Sequence, residues 1–117
     1  MIKTQNALEI AIKTREKFER GQVESRRLER LYKAYNPIED ITTFVERSRE
    51  LFPNLNCGLT TLYLREILGN GKIINGKYNS VDHTFLLIDG DTVIDITADQ
   101  YGGPRVYVGP LKKPWEL

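Results

Sequence analysis

The chain has one cysteine and one histidine, and each stands where a nucleophile and its general base can work together. Cys57 opens an apolar run of helical character, 57–68, a few residues after the breaker Pro53. His83 heads a β-rich run, 83–88, and Asp95 lies in a second, 92–97. A thiol at a helix start, facing a base and an orienting carboxylate on neighbouring strands, is suited to nucleophilic attack on a carbonyl.

Cysteine attacks only as thiolate, and a free thiol with a pKa of roughly 8.5 is mostly protonated at neutral pH. The helix start supplies unpaired amides and the positive end of the dipole, and an imidazolium at His83 adds a charge. Asp95 then holds the ring so that its other nitrogen faces sulfur, and the Cys57 amide is placed to donate to an oxyanion. Asn56 and Asn54, just before the cysteine, and Gln100, after the second β run, are further candidate oxyanion or substrate donors.

Each residue taken alone has a plainer reading. Free cysteines usually fill core space, a lone histidine is often a hydrogen-bonded core residue, and asparagine forms turns and caps. The joint arrangement is what favours chemistry.

Geometry decides whether the arrangement is possible. Asp89-Gly90-Asp91 is a hairpin signal, and a three-residue loop pairs Ile88 with Thr92. That register puts His83, Phe85, Val93, Asp95 and Thr97 on one face, with His83 and Asp95 as diagonal neighbours. Diagonal positions lie about 7–8 Å apart at the backbone, which an imidazole and a carboxylate can bridge. A two-residue loop would set them on opposite faces. Asp82, adjacent to His83, points to the other face and is the weaker orienter. Asp99 is placed over the site, Tyr101 closes the sheet, and Trp115, with Pro110 and Pro114, packs the tail on the body.

The elements that must position these residues are helical in the first half and mostly extended in the second. Residues 7–20 carry Leu8, Ala11, Ile12 and Phe18 and stop at Gly21. Residues 23–35 bear a stripe of Leu28, Leu31, Tyr32 and Tyr35. A third helix opens with Asn36 as cap, Pro37 in the first position and Glu39 completing a capping box. It continues through Ile41, Phe44, Val45, Ser48 and Phe52. The run 57–68 is apolar around most of its circumference, as expected of a buried central helix.

Turn signals then fall at Gly69-Asn70-Gly71, Asn75-Gly76, Asp89-Gly90, Gly102-Gly103-Pro104 and Gly109-Pro110, leaving strands at 72–74, 83–88, 92–97 and 105–108. The pattern predicts an α+β fold in which N-terminal helices and a central Cys-bearing helix pack on a small antiparallel sheet. A single domain over 1–117 is expected, with a helical region over 1–52 and a catalytic helix and sheet over 53–117.

Lysine and arginine number 17 against 16 aspartates and glutamates, for a net charge of +1. This gives no electrostatic case for a polyanionic partner, and nucleic acid binding is not expected. One cysteine and one histidine cannot supply a structural zinc site or an internal disulfide, so neither a metal nor a cofactor is expected. No stretch has the apolar length of a membrane helix or a signal peptide. A cytoplasmic, reducing setting is expected, where a free thiol survives. The charges over 15–33 read as a solvated helical face, with Glu16 and Arg20 spaced for an ion pair.

With these residues in place, the chain resembles the papain-like and transglutaminase-like cysteine hydrolase superfamily. The resemblance rests on Val81-Asp82-His83-Thr84-Phe85, on Val93-Ile94-Asp95-Ile96-Thr97-Ala98-Asp99-Gln100-Tyr101, and on Val106-Tyr107-Val108. More narrowly, it is similar to small bacterial and phage proteins in which a Cys-Gly pair opens a helix and a histidine precedes an aromatic by two. It covers residues 53–115 and implies a triad of Cys57, His83 and Asp95 on a central helix packed against an antiparallel sheet. The chain departs from the pattern at Phe85, where tryptophan is expected, and at Leu51, where papain-type enzymes carry an oxyanion glutamine.

The function expected is that of a cysteine-dependent hydrolase or acyltransferase, working through a thioester on a peptide, isopeptide or glutamine amide. A protein or peptide is the expected substrate. The alternatives are a catalytically inactive papain-like binding or inhibitory protein, and a protein glutamine deamidase or transglutaminase.

Overall fold

The computed structural model describes the backbone of residues 4–117 and the side chains of residues 6–117. Four helices, α1 (Thr4–Glu19), α2 (Ser25–Tyr35), α3 (Ile41–Leu51) and α4 (Cys57–Leu68), precede five strands. The strands are β1 (Lys72–Tyr78), β2 (Val81–Ile88), β3 (Thr92–Asp95), β4 (Tyr107–Pro110) and β5 (Trp115–Glu116), with a 3-10 turn at Ala98–Tyr101 between β3 and β4. They form one antiparallel sheet in the order β4-β3-β2-β1-β5. The fold is α+β, with the helices segregated ahead of the sheet in sequence. No helix among the described residues is long and apolar enough to cross a membrane.

Two apolar clusters lie on opposite faces of the sheet. Leu86, Ile88, Ile94 and Ile96 face the helices and meet Ala7, Ala11, Phe18, Leu28, Val45, Leu59, Tyr63 and Leu64. Phe85, Leu87 and Val93 face the other way, onto Ile74, Tyr78, Ala98 and Trp115. The alternation along β2 and β3 is the period of two that a strand buried on both faces requires. Full burial of a side chain such as Phe85 contributes about 1.5–3 kcal/mol.

The helices differ from the sequence reading in two places. The buried stripe of α1 is Ala7, Ala11, Thr14, Arg15 and Phe18, while Leu8 and Ile12 are exposed. Small residues on the inner stripe let α1 lie close to the sheet. Arg15 is therefore not on a solvated face; half-buried Glu16 and exposed Arg20 are paired as expected.

The cap of α3 is Asp40, not Asn36. Its carboxylate accepts from the Thr43 amide at 3.1 Å and the Thr43 hydroxyl at 2.8 Å. Asn36 instead ends α2, its amide donating to the Tyr32 carbonyl. A carboxylate with two donors within one turn outcompetes an asparagine that the preceding helix already uses.

The strand boundaries also shift. β1 runs through Asn75-Gly76, and the turn falls at Asn79-Ser80, both left-handed with φ of 50° and 68°. Gly76 serves close approach rather than a turn: a Cβ there would sit 2.2 Å from the Glu116 carbonyl oxygen. β3 stops at Asp95 because the Asp95 carboxylate accepts from the Thr97 amide at 2.9 Å, drawing the chain out of the ladder. β4 is displaced to Tyr107–Pro110, where Pro110 is tolerated on the sheet edge.

The β2–β3 hairpin has the expected three-residue connection. Ile88 pairs with Thr92, Leu87 with Val93 and Leu86 with Ile94.

Candidate active site

This register puts His83 and Asp95 on one face. His83 Nε2 and Asp95 Oδ2 lie 2.7 Å apart, and both side chains are almost completely shielded from solvent. The carboxylate is itself held in place. Trp115 Nε1 donates to Oδ2 at 2.8 Å, and the Thr97 amide donates to Oδ1. With Nε2 engaged by Asp95, the ring presents Nδ1 to the other side.

Cys57 arrives from the opposite layer. The first turn of α4 rests on Thr84, the neighbour of His83: the Thr61 hydroxyl donates to the Cys57 carbonyl at 2.6 Å and lies 3.4 Å from the Thr84 carbonyl. Gly76 is the cross-strand partner of His83 and sets no side chain directly opposite the imidazole, while Tyr78, two residues along β1, stands edge-on to it with ring centroids 6.1 Å apart. The thiol and His83 line one cleft together with Gly76 and Thr84.

Electrostatics couples the pair. Burial alone would raise the Cys57 pKa, but His83 and the Thr84 amide outweigh it, and the thiol is held below its ordinary value. Burial alone would lower His83; hydrogen bonding to Asp95 and the neighbouring Cys57 push it up instead, to about 9. Both shifts favour thiolate with imidazolium. Nδ1 nevertheless makes no well-aligned hydrogen bond, so sulfur and ring are neighbours rather than a closed donor–acceptor pair. Alignment of such groups commonly tightens only when substrate arrives.

The remaining sequence candidates are used differently. Asn56 is buried, and its amide donates to the carbonyls of Ser48 and Asn54, each at 2.7 Å. Both amide hydrogens are thereby engaged in shaping the loop before α4. Asn54 is exposed and supplies one of those carbonyls. The Gln100 amide donates to the Thr97 carbonyl at 3.0 Å.

Asp99 forms a bidentate pair with Arg15, at 2.7 and 2.8 Å, instead of lying free over the site. Asp82 is exposed and pairs with Lys77. Among the described residues, no group of three or more histidine, cysteine, aspartate or glutamate side chains could hold a metal ion.

Three contributors escaped the sequence reading. Trp115 does more than pack the tail, because its indole N–H fixes Asp95. A buried indole needs a partner for its one donor, which was the only available hint. Tyr101 stands edge-on to the His83 ring, with centroids 5.3 Å apart, and its hydroxyl donates to the Asp82 carbonyl. Burial, then the charges of Cys57, Asp95 and Asp82, raise its pKa, so the phenol keeps its proton. Arg15 also donates to the Ile96 carbonyl at 2.8 Å, tying α1 to the segment that carries Thr97 and Tyr101. No sequence spacing links those positions.

Comparison with known protein families, curated proteins and solved structures finds no match for this chain.

Proposed function

We propose that the protein is a cysteine-dependent hydrolase or acyltransferase acting on the carbonyl of a peptide, isopeptide or glutamine amide, with a papain-like or transglutaminase-like use of helix and sheet. The observation that carries this reading is a His83 ring fixed by Asp95 at 2.7 Å beside a thiol whose pKa is driven down. A packed, inert cysteine has no need of either.

In this reading the resting pair is thiolate and imidazolium. Cys57 sulfur attacks the substrate carbonyl, and the displaced electron pair moves to oxygen, which the amide at the start of α4 stabilises. His83 delivers its proton to the leaving nitrogen as the C–N bond breaks, giving a thioester and neutral imidazole. Water then gives a proton to His83 and attacks the thioester; the C–S bond breaks, releasing acid and restoring the pair. An amine in place of water gives acyl transfer, and a glutamine side chain as substrate releases ammonia. Asp95 orients the ring throughout. A reducing cytoplasmic setting would keep the thiol free.

The missing alignment at Nδ1 favours a second reading, a binding or inhibitory protein that keeps the arrangement without turnover. One experiment separates them. At pH 6.5 the native protein should release more than one equivalent of p-nitrophenol from p-nitrophenyl acetate, through an acetyl-Cys57 thioester that water clears, and the His83→Ala variant should not. Release of no more than one equivalent, or release equal in the two proteins, would remove the catalytic reading and leave the binding one.

A further inference from the structure

Two clefts meet at the thiol, and they differ in chemistry. One contains His83, Asp82 and Gly76. The other, about 590 Å³, lies between α2, α3 and the start of α4, and its walls include Tyr32, Tyr35, Phe44, Leu55 and Gly58. Apart from Cys57 itself, no residue lining this second cleft is acidic or basic, and its polar members Asn36, Asn75 and Thr84 are neutral, although 28% of the chain is charged. We infer that the second cleft receives the acyl side of the substrate and selects a large uncharged apolar side chain, such as phenylalanine, tyrosine or leucine. The inference rests on the cysteine chemistry proposed above and adds the substrate's direction and class.

Direction follows from the proton. His83 must reach the leaving nitrogen, so the leaving segment belongs in the cleft that His83 lines. The acyl segment, bonded to sulfur, extends from Cys57 into the other. Selectivity follows from the walls. Tyr32 and Phe44 stand with ring centroids 4.8 Å apart, and Tyr32 meets Tyr35 at 6.2 Å. Gly58, next to the nucleophile, brings helix and ring together: a Cβ there would lie 3.2 Å from Tyr32 Cε2.

Leu55 is 44% exposed and held with φ of 67°. A bulky apolar residue kept in left-handed backbone at the surface is uncommon, and such positions cluster at ligand clamps. Asn75 ties the rim together, donating to the Tyr35 hydroxyl at 2.8 Å and accepting from Thr84 at 2.9 Å.

The test uses dipeptidyl chloromethyl ketones, in which sulfur displaces chloride to form a C–S bond. Acetyl-Phe-Gly, acetyl-Gly-Phe, acetyl-Gly-Gly and acetyl-Glu-Gly reagents are compared on the native protein, with iodoacetamide as the reagent that needs no cleft. One phenylalanine reagent should modify Cys57 roughly tenfold or more faster than the Gly-Gly reagent, and the Glu-Gly reagent should gain nothing.

Leu55→Asn keeps a residue that tolerates left-handed backbone while removing the apolar wall. It should reduce the Phe to Gly-Gly rate ratio at least threefold, and Phe44→Ala should reduce it similarly. Equal rates for all four peptide reagents, alongside a His83-dependent iodoacetamide reaction, would overturn this inference and leave the cysteine chemistry standing. A native thiol that reacts with none of the reagents would overturn both.

Discussion

Asp95 Oδ2 is shared by two buried rings: His83 Nε2 lies 2.7 Å from it and Trp115 Nε1 donates to it at 2.8 Å. The tail strand β5 is thereby coupled to the base. Trp115→Phe keeps the apolar ring stacked on Tyr107 but leaves a buried carboxylate one donor short. A loss of about 1–3 kcal/mol is expected in urea unfolding. With less of its charge compensated, Asp95 should hold the imidazolium more strongly, so NMR titration should place His83 above its native value. An unchanged stability and titration would mean that the indole bond is idle.

The coupled pair also sets how stability varies with pH. His83 is raised from 6.5 to about 9, so its contribution is complete below pH 6.5 and lost as pH rises through about 9. Cys57 is lowered from 9.0, so its contribution is present above pH 9.0 and lost as pH falls. Between 6.5 and 9 the two act in opposite directions: the loss on His83 as pH rises is opposed by the gain on Cys57. Native stability should therefore fall less steeply with pH across that window than the histidine alone would make it fall.

In Cys57→Ala only the histidine contribution remains, held up by Asp95. Stability should then fall as pH rises above 6.5, by up to about 1.4 kcal/mol per pH unit. Parallel profiles for the two proteins would contradict an ion pair.

Arg15 is 5% exposed and bridges α1 to Asp99 and the Ile96 carbonyl. Its removal strands a partly buried carboxylate, and Arg15→Met is expected to cost about 3 kcal/mol. Because the segment it holds carries Thr97 and Tyr101, His83-dependent thiol reactivity should fall as well. Thermal unfolding and iodoacetamide kinetics on the same sample measure both.

The α3 cap offers a local check. Asp40→Ala should cost about 1 kcal/mol, whereas Asn36→Ala, at the end of α2, should cost less. Paired unfolding curves decide between them.

The helices, the three-residue hairpin and the Cys57–His83–Asp95 constellation were legible because each rests on local signals. These are apolar spacing, Asp89-Gly90 and the alternation of strand faces. Asn75-Gly76 was misread as a turn because glycine looks alike in sequence whether it serves a positive φ or a carbonyl pressed against its face, as Glu116 is here. Trp115 and Arg15 were invisible as supports because their partners, Asp95 and Asp99, are set by tertiary packing alone. Asn56 had the right place for an oxyanion donor, yet burial turned its amide toward two backbone carbonyls.

Everything proposed for the site depends on Cys57 and His83 acting as one unit. The decisive measurement is the rate of Cys57 alkylation by iodoacetamide, followed from about pH 5 to about pH 10 in the native protein and in His83→Ala. In the native protein the thiolate should react well below about pH 8, and in the variant the titration should move up to that of an ordinary or buried thiol. An ordinary titration in the native protein, unchanged by the substitution, would contradict the coupling.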